Sequence, residues 1–361
     1  MIYLDYAGLG VPRRDALQQE YEYKLALSAD QSLEYKYIDI IEKNKKHIGR
    51  KFFHTDDYMV SYVRNTTEGI TIATNVVPLE SGDEVVISSL EHRSADNSWE
   101  YICEKRHAKL IKVKISPNDS SDVILKKFAD STSEKTRVIF CSHVDRNFGI
   151  QFPIKELSAL ANKNNAYMIV DGAQAVGLID VNLDELECHM YICSFHKWCN
   201  MPVAIGAMLS KKSITHQLGR LYVGERRLDE EKIEEKDFGT DELGTRNVAL
   251  EMCLPMIIDH IQCTEAGVFD YFLQKLKSIP NVVEVISWIH HKGRGFIVVD
   301  VINNNDNLQD VLFQEYGIMI GRIKKEGKIY LRFSFDVSTE KNDIHILIEA
   351  LKDIHRNYVP E

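Results

Sequence analysis

The run Met168-Ile169-Val170-Asp171-Gly172-Ala173-Gln174 decides how this chain folds, together with Ser194-Phe195-His196-Lys197, whose lysine stands 26 positions after Asp171. Three apolar residues deliver an aspartate to a strand end, and the lysine falls on a later turn. That pair suits pyridoxal phosphate. The cofactor needs a lysine amine to hold its aldehyde as a Schiff base, and a carboxylate to keep its ring nitrogen protonated so that the ring withdraws electrons. Each string alone has a plainer reading. An Asp after a buried strand caps a turn, and a Lys beside a tryptophan, here Trp198, is a solvated charge over an aromatic ring.

Working outward, apolar runs over 84–87, 110–113, 138–141, 167–170, 190–193 and 204–209 read as strands. Between them lie amphipathic helices: Trp99, Ile102 and Cys103 share one helical face after Asn97, as do Leu157, Leu160 and Ala161 after Pro153. Such repetition predicts an α/β fold with a mostly parallel central sheet covered on both faces, and ligands at the carboxyl ends of its strands. After about Arg246 the pattern changes. A long helix over 248–261 and another near Leu273 lead into strands over 296–301, 318–320 and 329–335 and a helix over 343–354, a small α+β domain. The expected division is an N-terminal arm over 1–15, a large cofactor-binding domain over 16–250 and a small C-terminal domain over 251–361. Residues 303–307 read as a polar turn, and the charged segment 224–241 as either a mobile active-site loop or a surface excursion.

Composition narrows the class. A formal net charge of −10 argues against a nucleic-acid or anionic-membrane partner. The clusters Asn44-Lys45-Lys46-His47 and Glu104-Lys105-Arg106-His107 read as solvated helix faces. Seven cysteines without short paired spacings fit neither a zinc site nor a disulfide framework, so no metal is expected and the thiols read as reduced and mostly buried. Met1-Ile2-Tyr3-Leu4-Asp5 lacks the pattern of a signal peptide and no apolar run reaches the length of a membrane span, so a cytoplasmic protein is expected.

Two further stretches join the aspartate and the lysine. Arg64-Asn65-Thr66-Thr67-Glu68 precedes a helix with Ile70, Ala73 and Val77 on one side, which puts Thr66 and Thr67 at a helix amino terminus. Free N–H groups and the helix dipole favour a phosphate there; the plainer reading is an N-cap at Asn65 or Thr66. Glu91-His92-Arg93-Ser94 follows the strand at 85–87 and brings an imidazole to the same sheet edge, where it could lie over a flat cofactor.

With Tyr3-Leu4-Asp5-Tyr6-Ala7, Gly82-Asp83-Glu84-Val85, Ser142-His143-Val144 and Gly244-Thr245-Arg246-Asn247 in order, these elements resemble the class V aminotransferase family of fold-type I pyridoxal phosphate enzymes. That family includes cysteine desulfurases and isopenicillin N epimerase-like proteins, and the resemblance spans nearly the whole chain. It implies catalytic roles for Lys197, as the Schiff-base lysine, and for His92, stacked on the ring. It implies that Asp171 pairs with the ring nitrogen and Gln174 with the ring hydroxyl oxygen. Thr66, Thr67, Ser194 and His196 would hold the phosphate, and Thr245 would reach the phosphate of a neighbouring subunit, which implies a homodimer. Arg332, in Tyr330-Leu331-Arg332-Phe333-Ser334, matches the family arginine that clamps the substrate carboxylate, as a planar guanidinium does bidentately.

The chain also departs from the family. No cysteine follows Cys263, and persulfide transfer needs a thiolate, so desulfurase activity is disfavoured. Arg146 stands where the family places an asparagine, with Asn147 beside it, and would add a cation near the ring oxygen or the substrate carboxylate. Phe195 replaces the family's usual small residue before His-Lys, and His196-Lys197-Trp198 is closer to the epimerase-like branch. The expectation is an enzyme acting on the α-carbon of an amino acid through Lys197, as an aminotransferase or epimerase. The alternatives are a β-eliminating carbon–sulfur lyase and, in a different class, a non-catalytic regulatory module that binds pyridoxal phosphate.

Overall fold

The computed structural model describes residues 1–221, 245–260, 267–279, 282–301, 307–325 and 327–358. The segment 224–241, Gly244, Cys263 and the turn residues 303–306 lie outside the described residues.

In chain order the first elements are β1 (Ile2–Leu4), α1 (Arg14–Ala29), α2 (Leu33–Phe52), β2 (Tyr58–Val63), α3 (Thr66–Val76), β3 (Glu84–Ser88), α4 (Arg93–Arg106), β4 (Lys109–Val113), α5 (Ser121–Asp130) and β5 (Thr136–Ser142). Next come α6 (Ile154–Lys163), β6 (Tyr167–Asp171), α7 (Leu183–Leu186), β7 (Met190–Ser194), β8 (Gly206–Lys211), α8 (Val248–Met252) and α9 (Met256–His260). The last are α10 (Val268–Lys277), β9 (Val283–His291), β10 (Arg294–Val301), α11 (Leu308–Tyr316), β11 (Ile318–Lys325), β12 (Lys328–Phe335) and α12 (Lys341–Tyr358). They group into two compact units. The larger comprises Pro12–Val144 and Gln151–Ile261; the smaller comprises Met1–Val11, Asp145–Ile150 and Gln262–Glu361.

In the larger unit a seven-stranded sheet runs in the order β2-β8-β7-β6-β5-β3-β4. Neighbours from β4 to β7 are parallel, and β8 runs against both β7 and β2. The carboxyl ends of β2, β3, β5, β6 and β7 therefore share one edge. Every residue of β6 and β7 is buried, as expected of central parallel strands covered on both faces. On α4, Trp99, Ile102 and Cys103 are all buried, and the Trp99 ring packs 5.6 Å from that of Phe140 on β5. The mostly parallel sheet expected from the sequence is present.

The smaller unit holds a five-stranded sheet in the order β1-β11-β12-β10-β9, in which β1 lies parallel to β11 and the other pairs are antiparallel. Its core gathers Phe272 of α10, Phe333 and Phe335 of β12, and Leu347 and Leu351 of α12.

Two local readings of the sequence need correction. The helix expected over 248–261 is two short helices, because Pro255 lacks the N–H that continuation requires and residues 253–255 form a turn. Lys45 is no solvated charge: it is buried, paired with Glu42 at 2.8 Å, with its ammonium 5.4 Å from the Tyr62 ring centre. Among the described residues no helix is long and apolar enough to cross a membrane.

Candidate active site

The shared edge of the large sheet collects the residues singled out by sequence. β6 ends at Asp171, buried, whose Oδ1 accepts from the Ala173 N–H at 2.8 Å. Gly172 follows because nothing larger fits: a Cβ there would lie 2.2 Å from the Tyr191 ring. The Tyr191 hydroxyl meets His143 Nδ1 at 2.9 Å, and burial pushes the His143 imidazole down to about 4, so it is neutral. The backbone N–H of His143 donates to the Asp171 carbonyl at 2.8 Å, which continues the β5–β6 ladder past the carboxylate.

β7 ends at Ser194, and the turn after it carries His196 and the half-buried Lys197. The Ser194 hydroxyl accepts from the Thr66 N–H at 2.9 Å and meets the Thr66 hydroxyl at 2.7 Å. Thr66 opens α3, as the sequence indicated, and Asn65 is its N-cap, accepting from the Glu68 N–H at 3.0 Å. Thr67 is exposed, and its hydroxyl donates to Ser94 Oγ at 3.2 Å. His92 caps α4: its Nδ1 accepts from the Ser94 N–H at 3.1 Å. Gln174 Oε1 accepts from the Trp198 indole N–H at 2.9 Å, which turns the nitrogen of that amide away from the indole.

His196 Nδ1 is buried with no hydrogen-bond partner among the described residues. Burial and then the Lys197 ammonium hold its proton affinity below the usual histidine range. A buried polar atom left open two residues after Ser194, whose hydroxyl meets the amino terminus of α3, is the donor chemistry that a phosphate satisfies. The residues present therefore fit pyridoxal phosphate.

Arg332 and Arg146 belong to the smaller unit and come together there. β12 is the central strand of its sheet, so Arg332 is 2% exposed rather than an edge charge. Its Nη1 donates to the Arg146 carbonyl at 2.8 Å and its Nη2 to Asp5 Oδ1 at 2.9 Å, while Nε has no partner among the described residues. Gly321 makes the room. A Cβ there would stand 2.7 Å from Asp5 Oδ1 and 3.0 Å from Arg332 Nε. Thr245, exposed, lies in the bend just before α8.

The sequence reading missed three of these arrangements. Asp5 stood in a quoted motif without a partner, Trp198 was not linked to Gln174, and Glu91 was noted only as the neighbour of His92. Glu91 is buried, and its carboxyl joins Ser88 and Ser142.

The sequence model of class V aminotransferases matches residues 2–347. This chain belongs to the class V aminotransferase family. With the family goes its cofactor, pyridoxal 5′-phosphate, as the residues led us to expect. Cysteine desulfurases of Escherichia coli O8 (strain IAI1) and of Escherichia coli (strain K12 / DH10B) are each 29% identical to it over 237 residues. The match covers 61% of this chain and 58% of the relatives' length. Among solved structures, the cysteine desulfurase CsdA from Escherichia coli superposes with a TM-score of 0.83 at 18% identity, covering 99% of this chain and 95% of that one. The cystine C–S lyase C-DES, solved with its product cysteine persulfide, gives 0.83 at 19% identity and 97% of both chains.

These relatives overturn the expectation of an aminotransferase or epimerase, and with it the disfavouring of cysteine desulfurase chemistry. The physical reason is that the same lysine serves every one of these reactions, while their divergence depends on the substrate's leaving group and on local geometry. Neither is written in Lys197, Asp171 or His92. The missing C-terminal cysteine bears on one route of sulfur transfer and leaves carbon–sulfur cleavage itself open.

Proposed function

We propose that this enzyme is a pyridoxal-phosphate-dependent carbon–sulfur lyase that removes the sulfur substituent from the β-carbon of a cysteine-class amino acid, such as cysteine or cystine. The observation that carries the reading is the convergence of Lys197, Asp171 and His92 at one sheet edge in a chain whose relatives are named for breaking carbon–sulfur bonds. When bound, the cofactor supplies an electron sink for the pair left on the α-carbon.

Each residue then has a task. The Lys197 amine would hold the cofactor covalently at rest and take the α-proton during turnover. Asp171 would hold the proton of the ring nitrogen. Gln174, oriented by Trp198, would present its amide nitrogen to the ring hydroxyl oxygen, and His92 would cover the ring. Thr66, Thr67, Ser194 and His196 would receive the phosphate, with Thr245 serving a partner subunit in a homodimer. Arg332 and Arg146 would receive the substrate carboxylate. The α-proton goes to Lys197, the β-carbon–sulfur bond breaks, and the sulfur leaves with its bonding electrons as a thiolate or persulfide. Hydrolysis of the remaining carbon skeleton gives pyruvate and ammonia. All six described cysteines are free and buried, which agrees with a reducing cytoplasmic setting.

The test is product analysis of the purified protein, supplied with pyridoxal phosphate and either cysteine or cystine. Pyruvate formed in step with sulfide or persulfide is the expected result. Alanine would show desulfurase chemistry instead, and a keto acid that keeps its sulfur would overturn the lyase reading.

A further inference from the structure

Glu91 is a buried carboxyl that no step above uses. It leaves the end of β3 one residue before His92, and its side chain folds back between two strand ends. The Ser88 hydroxyl donates to Oε1, the Ser142 N–H meets the same oxygen at 3.1 Å, and the Ser142 hydroxyl lies 2.7 Å from Oε2. Ser88 closes β3 and Ser142 closes β5, its parallel neighbour, while Ser142 is in register with Asp171 on β6. One carboxyl thus ties the loop bearing His92 to the strand beside Asp171.

No cation pairs with Glu91 among the described residues, and it is 6% exposed. An ionised carboxylate in that position would be buried, unpaired by any cation and near the Asp171 carboxylate, an arrangement that desolvation strongly disfavours. A protonated carboxyl fits the same atoms without that cost: one oxygen accepts from the Ser142 N–H and the Ser88 hydroxyl, and the other donates its proton to Ser142 Oγ. The titratable groups acting around it are Asp171 from β6 and the fully buried Cys141 thiol of β5, itself pushed up by burial. Burial, opposed by the serine hydrogen bonds and reinforced by Asp171, raises the Glu91 carboxyl to about 8.

We infer that Glu91 is a positioning residue that works as a neutral acid, fixing the His92 loop to the β5 end while adding no second negative charge beside Asp171. The inference rests on reading this edge as the cofactor site. A second charge there would raise the proton affinity of Asp171, the group assigned to hold the ring-nitrogen proton, so the neutrality of one carboxyl protects the function of the other.

The experiment compares wild type with Glu91→Gln and Glu91→Ala. A carboxyl raised by folding contributes stability that is fully present below its ordinary pKa of 4.5 and is lost as pH rises through its folded value of about 8. Glutamine lacks that loss. The melting temperature of the Glu91→Gln apoprotein, measured against wild type, should therefore gain steadily as pH rises between those two values and level off beyond. In cofactor titrations followed by absorbance, Glu91→Gln should bind pyridoxal phosphate within about threefold of wild type, and Glu91→Ala about tenfold or more weakly. A stability difference flat with pH, or a glutamine variant as weak as alanine, overturns the proposal. Should Glu91→Ala not fold, the infrared difference spectrum of wild type minus Glu91→Gln decides: a protonated-carboxyl band at neutral pH supports the inference and its absence overturns it. If wild type itself fails to bind pyridoxal phosphate, the cofactor reading of the edge falls, whereas the apoprotein measurements still judge Glu91.

Discussion

Thr66 and Ser194 meet as two neutral hydroxyls 2.7 Å apart, whereas Arg332 and Asp5 meet as two full charges 2.9 Å apart. Both contacts are mostly shielded from water, and each holds a residue assigned to grip an anion. The hydroxyl pair sits in the larger unit at strand ends that the sheet already fixes, so it loses little on forming. The charged pair, in the smaller unit, must offset the desolvation of a guanidinium that is 2% exposed. The comparison separates two ways of preparing an anion site. Neutral groups held by backbone geometry wait for the ligand's charge, while a preformed charge is kept in place by a counter-charge of the protein's own.

Removing the chemistry altogether gives the largest effect. Lys197→Ala should lower turnover by about three orders of magnitude or more and abolish the covalent cofactor absorbance; turnover near wild type would remove this lysine from its assigned role. Next comes the charged side of the comparison. Arg332→Ala should weaken binding of carboxylate-bearing substrates by roughly 2–3 kcal/mol, or 30- to 150-fold. Affinity for an amine lacking the carboxylate should stay put, and an equal loss for both would show a purely structural defect. Asp5→Ala leaves the buried guanidinium with one neutral carbonyl partner. It should cost about 3 kcal/mol of stability in chemical denaturation, at the low end for a broken buried pair because Asp5 itself is one-fifth exposed. A near-neutral outcome would mean the counter-charge is dispensable. The neutral side should yield least: Thr66→Val removes one hydroxyl contact but keeps the Thr66 N–H bond to Ser194, a change of about 1 kcal/mol in cofactor affinity. A loss as large as that from Arg332→Ala would erase the distinction between the two sites.

Within the larger unit, pH sharpens the contrast further. His143 is held neutral by burial, so its contribution to stability is present above its ordinary pKa of 6.5 and is lost as pH falls toward about 4. Glu91, on the neighbouring strand end and hydrogen-bonded to Ser142 beside His143, has the opposite sign. Melting curves of His143→Asn should flatten the acid side of the profile alone; a flattened alkaline side would mean the signs are misassigned.

The central strands were legible because central parallel strands are uniformly apolar and end abruptly in polar residues. β6 and β7 were foreseen to within a residue at each end, and with them the places of Asp171 at the end of β6 and Lys197 on the turn after β7. β2 was not, because Tyr58-Met59-Val60-Ser61-Tyr62-Val63 places a polar Ser61 inside a strand that is nonetheless buried, which breaks the apolar run. Side-chain partners were harder still. Arg332 and Asp5 are 327 positions apart, and no local periodicity links a residue in β12 with one just after β1. The reaction itself was the least legible, because the residues that activate the α-carbon are common to transamination and elimination. Relatives rather than residues corrected that expectation.

The pairing of Ile2 with Ile318 sets a timetable for the chain's birth. At about 5–20 residues per second of synthesis, β1 waits roughly 15 to 60 s for its partner. All that while β1 is an exposed apolar segment in search of an edge, and Asp5 behind it has no arginine to hold. The larger unit's sheet can close long before. A newborn molecule therefore passes through a stage in which the edge carrying Lys197 is built and the arginine cluster is not, and β1 is the segment a chaperone would need to shield.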